Sequence, residues 1–270
     1  YVQEVARTAA THSYLVPTQL YRLLDAVPDG KALGSMVTLG YGAAPMSPDK
    51  AGQLIERFGP IFNQLYGMAE IASIGTMLRK ADHVAAMNGQ TRLLGSAGQP
   101  SYAIDVRVVD EQGRDVSPGQ RGEVIFAAPY MMKGYYRDPE RTARTLVDGW
   151  IRSGDVAEVD EAGYVYIVDR IKDLIIRGGY NVYPREIEEV IYEHPAVREV
   201  AVIGVEHPEL GEEVAAVIGL ADGAEATPEE IQAFAKERVA AYKYPRVVEI
   251  VDELPKGPTG KVLKREIDLG

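Results

Sequence analysis

Cysteine is absent from the 270-residue chain. That excludes disulfides, thiolate nucleophiles and Cys-ligated zinc, and it is compatible with a reducing cytoplasm, where we expect the protein. An excess of basic charge is missing too. The 29 Lys and Arg stand against 40 Asp and Glu, a net charge of −11, whereas proteins that hold nucleic acid carry a basic footprint. No nucleic-acid partner is therefore expected. No apolar run approaches the roughly 18–20 residues needed to cross a bilayer, so stable membrane insertion is not expected either. The opening stretch YVQEVARTAATHSYLV lacks the charged-then-apolar order of a signal peptide. Internal repeats and low-complexity tracts are also lacking. What is present is ordinary globular usage, 46% hydrophobic and 26% charged, over a length that can bury one large core or two smaller ones.

Three familiar motifs fail on strict reading. KGPTGKV, Lys256 to Val262, has two residues between its glycines and Val after the second Lys, where a phosphate-cradling P-loop needs four and then Ser or Thr. GYGAAP, Gly40 to Pro45, places Pro45 at the third glycine of a dinucleotide fingerprint. His12, His83, His194 and His207 have no i, i+4 pairing that would hold zinc, and are expected as surface or capping residues.

Along the chain, Gln19 to Ala26 reads as helix, Ser35 to Gly40 as strand and Pro48 to Phe58 as helix. That alternation predicts βα units around a parallel sheet, with ligands at the strand carboxyl ends, GYGAAP and LYGMAE. From about Gly95 to Val168 short alternating runs between Gly, Pro and Asp turns predict an antiparallel subdomain, with strands at Ile104 to Val109, Gly122 to Phe126 and Gly163 to Val168. After Lys172, helix Pro184 to Tyr192, strands near Val197 to Val205 and Val214 to Leu220, and helix Pro228 to Val239 form a compact α+β pattern. Thr227 and Glu230 have the spacing of a capping box, with Pro228 at the first helical position.

Several stretches suit an anionic nucleotide and a carbonyl. In YGMAE, Tyr66 offers a face to a purine, Gly67 admits close backbone approach and Glu70 is a hard oxygen ligand for Mg²⁺. Asp155 after a Ser-Gly turn and Arg170 at a strand end could converge on ribose hydroxyls and phosphate; turn chemistry and an exposed salt bridge are the alternative. Gly178 and Gly179 in IIRGGYNVYP would permit positive φ beside a chain-like ligand, or form a plain loop before a helix. Lys261, in a turn framed by Gly and Pro, could carry its ammonium to a developing negative charge, or be solvated surface.

In this order, YGAAPMS, YGMAE, GEVIFAAPYMMKGYYRDPERT, DGWIRSGDVAEVDEAGYVYIVDRIKDLIIRGGYNVYPREIEEV and LPKGPTGKVLKREI resemble the adenylate-forming superfamily of acyl-CoA synthetases, luciferases and peptide-synthetase adenylation domains. The resemblance extends over essentially the whole chain. It implies an α/β plus α+β architecture in three parts. Residues 1–94 would be part of a large α/β subdomain with the adenine-binding motifs, 95–171 a β-barrel-like antiparallel subdomain, and 172–270 a small mobile cap domain.

Carried over residue by residue, the resemblance implies that Gly42, Ala43, Ala44 and Pro45 border the adenine with Tyr66, that Gly67 and Ala69 belong to the same nucleotide-binding set, and that Asp155 and Arg170 hold the ribose. Glu70 would coordinate Mg²⁺. Lys261 would bridge carboxylate and α-phosphate, Lys172 would be the hinge, and Gly178 and Gly179 would line the pantetheine tunnel. Ser153 occupies the position of the family's Thr before Gly-Asp. Ala69 stands where the family has a Thr that hydrogen-bonds the α-phosphate, a loss of about 1 kcal/mol, leaving that role to backbone amides or to neighbours such as Thr76. The family's upstream Ser/Thr/Gly-rich phosphate loop does not occur. The chain is therefore expected to be the C-terminal part of a longer enzyme and to be inactive alone.

The implied enzyme is an AMP-forming acid–thiol ligase using ATP, Mg²⁺ and coenzyme A on a carboxylic acid. Tyr41, Met68 and Ala69 offer small and apolar walls, which favours a medium- or long-chain fatty acid or an aryl acid. Adenylation for a carrier-protein thiol, and a non-catalytic binding module, are the alternatives.

Overall fold

The computed structural model describes residues 1–28, 30–257 and 262–269. Lys261 therefore lies outside the described residues. The chain divides into two units, Tyr1–Ile167 and Val168–Gly270.

The first unit begins with α1 (Val2–Thr8), β1 (His12–Leu15), α2 (Pro17–Ala26), β2 (Thr38–Gly42), α3 (Pro48–Phe58), β3 (Phe62–Tyr66), β4 (Thr76–Leu78), α4 (Lys80–Met87) and β5 (Gln99–Pro100). The sheet runs β1-β2-β3-β4-β5. Only β1, β2 and β3 are parallel, joined through α2 and α3, whereas β4 and β5 add antiparallel. Both crossover helices start on proline, whose fixed φ and missing amide suit a first helical position. In α3, Ala51, Leu54, Ile55 and Phe58 are buried at i, i+3, i+4 and i+7, the stripe of a helix lying on a sheet. They join Leu20, Leu39, Phe62 and Leu78 in one core, each fully buried large side chain contributing roughly 1.5–3 kcal/mol.

A second sheet follows, made of β6 (Asp105–Val109), β7 (Arg121–Ala127), β8 (Leu146–Val147), β9 (Trp150–Val159) and β10 (Val165–Arg170), with α5 (Pro139–Thr145) before β8. Its order is β10-β9-β7-β6, with β8 on β9. The expected barrel-like subdomain is thus an open sheet. Beyond β6 lies not β10 but the chain's own return, where Val116 N donates to Val108 O and Asp110 N to Arg114 O. The unit boundary falls inside β10.

The second unit contains β11 (Ile175–Arg177), β12 (Tyr180–Val182), α6 (Pro184–Tyr192), β13 (Val197–His207), β14 (Gly211–Leu220), α7 (Pro228–Lys236) and β15 (Val247–Val251). Its sheet runs β12-β11-β14-β13, with β15 parallel to β14. Alternate residues of the two long strands face opposite sides. Val200, Val202, Val214, Ala216 and Ile218 pack with Ile187 and Ile191 of α6 and Ile231 and Ala235 of α7, while Ala201 and Val217 pack with Leu254, Val262 and Ile267. The capping box forms as expected, Glu230 N donating to Thr227 Oγ1 at 3.2 Å and Thr227 N to Glu230 Oε2 at 2.8 Å. Among the described residues no helix is long and apolar enough to cross a membrane.

Candidate functional site

Two strand-end turns of the first sheet require glycine by contact. A Cβ on Gly42, at the end of β2, would stand 2.1 Å from the Leu65 carbonyl oxygen of β3 and 2.8 Å from the Tyr14 hydroxyl of β1. One on Gly67, just past β3, would stand 2.5 Å from Ser73 O and 2.7 Å from Gly75 N. The turn after Tyr66 folds back on itself, with Gly75 N donating to Tyr66 O and Ser73 N to Met68 O. Ala43, Ala72 and Ser73 hold φ of 65°, 54° and 81°. Such left-handed non-glycine residues cost about 1–3 kcal/mol each and persist where the surroundings over-determine them. Ala43 and Pro45 are exposed at the end of β2 and Ala44 is half-buried; Ala69 is exposed beside the half-buried Glu70.

Tyr66 and Asp155, far apart in sequence, meet. Tyr66 Oη donates to Asp155 Oδ2 at 2.8 Å, and the Tyr66 ring tilts against Phe126 with centroids 5.9 Å apart. Asp155 reaches this position from a bulge in β9. Glu123 of β7 pairs with Val156 and Ile125 with Arg152, so Ser153, Gly154 and Asp155 of β9 stand opposite Val124 alone. Side chains satisfy the bulge. Ser153 Oγ donates to Val124 O at 2.6 Å and accepts from Asp155 N at 3.0 Å, and Gly154 N donates to Glu123 Oε1 at 3.0 Å. Gly154 takes the left-handed φ of 72° that the bulge requires. Glu123, only 8% exposed, is ion-paired to Arg152 through Nε at 2.8 Å and through Nη2. Sequence reasoning did not single out Glu123 or Arg152. A lone acid inside the apolar run GEVIF was the available signal.

Glu70 sits in a short 3₁₀ turn, Ala69–Ile71. Its Oε1 accepts from Tyr135 Oη at 2.6 Å and its backbone oxygen from Met132 N at 2.7 Å, so the stretch after β7 docks onto it. Burial, then the hydrogen bond to Glu70, pushes the Tyr135 hydroxyl up from its ordinary pKa. Tyr135 was not among the residues foreseen. No group of three or more His, Asp or Glu among the described residues could hold a metal by itself. A single carboxylate does match the way Mg²⁺ is bound when it keeps waters and shares a nucleotide's phosphates.

Three expectations are corrected. Tyr41 is not a wall of an acid pocket. It shares the inward face of β2 with Leu39, is fully buried, and its hydroxyl lies 2.9 Å from His83 Nε2 and 3.1 Å from Gln64 Oε1. Thr76 cannot replace the missing threonine hydroxyl, because it is fully buried and donates to Ala97 O at 2.6 Å. His83 is neither surface nor cap but fully buried. Its Nδ1 lies 2.8 Å from Arg79 O, which assigns the proton to Nδ1 and leaves Nε2 to accept from Tyr41; burial holds its pKa below the ordinary value. His194 and His207 accept from backbone amides in the turns that follow them, His194 from Ala196 N and His207 from Glu209 and Leu210 N.

In the second unit Arg170 ends β10 and is exposed, its amide donating to Asp169 Oδ1 at 2.7 Å. Lys172 is exposed in a 3₁₀ turn, Ile171–Asp173. The run after it is a strand, since Ile175 is buried while Ile176 is 53% exposed, the period of β structure. Gly178 and Gly179 form the two-residue turn of the β11–β12 hairpin, with φ of 56° and 83°, the type I′ geometry that favours glycine twice. On either side of the residues around Lys261 that lie outside the described ones, Lys256 and Val262 form a bridge and Leu263 N donates to Pro255 O. Lys256 pairs with Glu199 and Lys264 with Glu188, each at 2.6 Å. Burial raises the pKa of Glu188 and of Asp169.

A family model described as AMP-binding enzyme matches residues 1–136, and one described as AMP-binding enzyme C-terminal domain matches residues 186–261. The chain is 41% identical over 266 residues to the medium/long-chain-fatty-acid–CoA ligase FadD8 of Mycobacterium tuberculosis, covering 95% of this chain and 45% of that protein. It is 43% identical over 265 residues to a feruloyl-CoA synthase of Amycolatopsis, covering 97% and 52%. Its fold superposes on the amide bond synthetase McbA of Marinactinospora thermotolerans with a TM-score of 0.88 at 39% identity, covering 98% of this chain and 54% of that one. The chain thus spans about half the length of the curated relatives it matches.

Proposed function

Because the chain belongs to the AMP-binding enzyme family, we propose that it is the part of an AMP-forming acid–thiol ligase that holds the nucleotide and carries the mobile groups of both half-reactions, working in the cytoplasm. In the first half-reaction a carboxylate oxygen attacks the α-phosphorus of ATP, the bond to the β-phosphate breaks and pyrophosphate leaves. In the second the sulfur of coenzyme A attacks the acyl carbon, the bond to AMP breaks, and the thiol proton passes to solvent. The acid is a medium- or long-chain fatty acid or an aryl acid, the classes named by FadD8 and the feruloyl-CoA synthase.

Tyr66, with the Gly42 to Pro45 turn, borders the adenine, Gly67 and Ala69 also line the nucleotide, and Asp155 and Arg170 take the ribose hydroxyls. The observation that carries the reading is the Tyr66–Asp155 hydrogen bond of 2.8 Å, which joins the two motifs that a nucleoside must bridge. Glu70, oriented by Tyr135, would hold Mg²⁺, which supplies charge neutralisation at the phosphates. Lys261 offsets charge on the carboxylate and α-phosphate in the first step. Lys172 is the hinge opening a cap of residues 172–270, and Gly178 and Gly179 leave room for pantetheine in the second step. The expected parts at 1–94 and 95–171 are the two portions of the nucleotide-holding body.

The McbA neighbour is an amide bond synthetase, which favours one second reading: adenylation followed by transfer to an acceptor other than coenzyme A. Mass spectrometry separates the two. The native-length protein, incubated with ATP, Mg²⁺, coenzyme A and pooled carboxylic acids, is expected to yield an acyl-CoA thioester. Acid-dependent AMP release without a thioester would move the acceptor elsewhere, and neither product would overturn the adenylation reading.

A further inference from the structure

We infer that Glu123 and Arg152 are positioning residues that set this site's preference for ribonucleotides by holding the β9 bulge. The inference rests on the reading of Asp155 as the ribose acceptor. Glu123 is 8% exposed and shares its face of β7 with the buried Ile125, opposite the face on which Val124 and Phe126 enter the apolar core. Well-packed apolar residues in place of a largely buried ion pair often serve stability about as well, so stability alone gives no reason for the pair.

Its geometry supplies another reason. Oε2 takes both contacts from the Arg152 guanidinium, which leaves Oε1 for the backbone amide of Gly154 at 3.0 Å. Gly154 is the centre of the bulge, and the residue after it is Asp155. The carboxylate therefore connects the two strands at the place where their ladder is interrupted and fixes the direction in which Asp155 leaves β9. With Ser153 Oγ on Val124 O at 2.6 Å and Tyr66 Oη on Asp155 Oδ2 at 2.8 Å, the acceptor is held at three points before any nucleotide arrives. A preorganised carboxylate rewards a ligand that brings both ribose hydroxyls, and one free to swing away does not.

The test is equilibrium binding of AMP, 2′-deoxyAMP and 3′-deoxyAMP to the full chain and to Glu123→Gln, with the ¹⁵N resonance of the Gly154 amide followed in each. The unsubstituted chain is expected to favour AMP. Glu123→Gln is expected to weaken AMP about tenfold with the deoxynucleotides nearly unchanged, and to shift the Gly154 resonance. Arg152→Gln, on the more exposed partner, is expected to act in the same direction and serves if Glu123→Gln does not fold.

Equal weakening of all three nucleotides, or an unchanged preference, would overturn the inference. Asp155→Asn separates it from the reading beneath it. If that variant keeps the preference, or the unsubstituted chain has none, the ribose role of Asp155 falls and the inference with it. If Asp155→Asn abolishes the preference and Glu123→Gln does not, the positioning role alone fails.

Discussion

The strand-end turns of the first unit and the exposed glycine turn of the second differ in how firmly they hold the residues proposed to carry chemistry. Tyr66, Glu70 and Asp155, the proposed nucleotide contacts, are each held by a neighbour, Tyr66 by Asp155, Glu70 by Tyr135, and Asp155 by a bulge locked to Glu123. Gly178, Gly179 and Lys172 stand exposed on short turns, and the described residues on either side of Lys261 are tied down through Lys256–Glu199 and Lys264–Glu188. A nucleotide must stay in place through both proposed half-reactions, so its contacts gain from rigidity. Groups proposed to serve one half-reaction gain from exposed turns that can move.

The largest effect tests that division at Lys261. Lys261→Ala is expected to lower acyl-adenylate formation by about 10²–10³-fold, the loss typical of a donor to developing charge, while sparing thioester formation from a supplied acyl-adenylate. Pyrophosphate exchange and consumption of synthetic acyl-adenylate by the native-length protein read the two steps separately. Equal losses would collapse the comparison. The next effect sets one glycine against another. Gly42→Ala forces a methyl to 2.1 Å from a backbone oxygen and is expected to destabilise by about 3 kcal/mol. Gly179→Ala meets nothing within 4 Å and costs only its φ of 83°, about 1 kcal/mol. Urea midpoints measure both, and a costlier Gly179→Ala would mean that its turn is packed and not open.

Much of this was legible in the sequence where one local signal sufficed. Proline at the first position with an apolar stripe located α3 and α6 to the residue, and the Thr227–Glu230 spacing announced its capping box. What escaped depends on partners distant in the chain. Tyr66 and Asp155 were each singled out, but their contact spans 89 positions, and Glu123 reads as an oddity until β9 lies beside it. Tyr41 was misplaced although its period-two relation to the buried Leu39 pointed inward; the turn beside it drew the functional reading. The IKDLII run fits a helix as well as a strand at that length, and pairing of β11 with β12 decided it.

Tyr135→Phe sharpens the comparison from the first unit's side. It removes one hydrogen bond to a carboxylate and leaves the ring in place, so a loss of about 1 kcal/mol in thermal or urea unfolding is expected. Mg²⁺ titration of the nucleotide complex should also weaken if Tyr135 orients Glu70. An unchanged unfolding midpoint would show that the contact does not hold the turn.

The smallest effect is a pair of opposed pH slopes. His83, buried in the first unit, has a folded pKa depressed below its ordinary 6.5. The unfolded chain binds the extra proton, so this stabilisation is present above that value and is lost as pH falls through it. Glu188 in the second unit has a folded pKa raised above its ordinary 4.5 by burial, only partly offset by Lys264. There the folded chain binds the extra proton, so the contribution grows as pH falls towards 4.5 and is lost as pH rises through the folded value, and Asp169 acts in the same sense. Hydrogen exchange at Leu39 and at Ile218, both fully buried, reads the two units in one sample, with the chemical exchange rate corrected at each pH. On acidification from neutral, protection at Leu39 is expected to fall relative to Ile218, and His83→Gln and Glu188→Gln should each flatten the slope of their own unit. Slopes of the same sign, or one variant flattening both, would mean that the two units unfold as one and that the contrast between them ends at the turns.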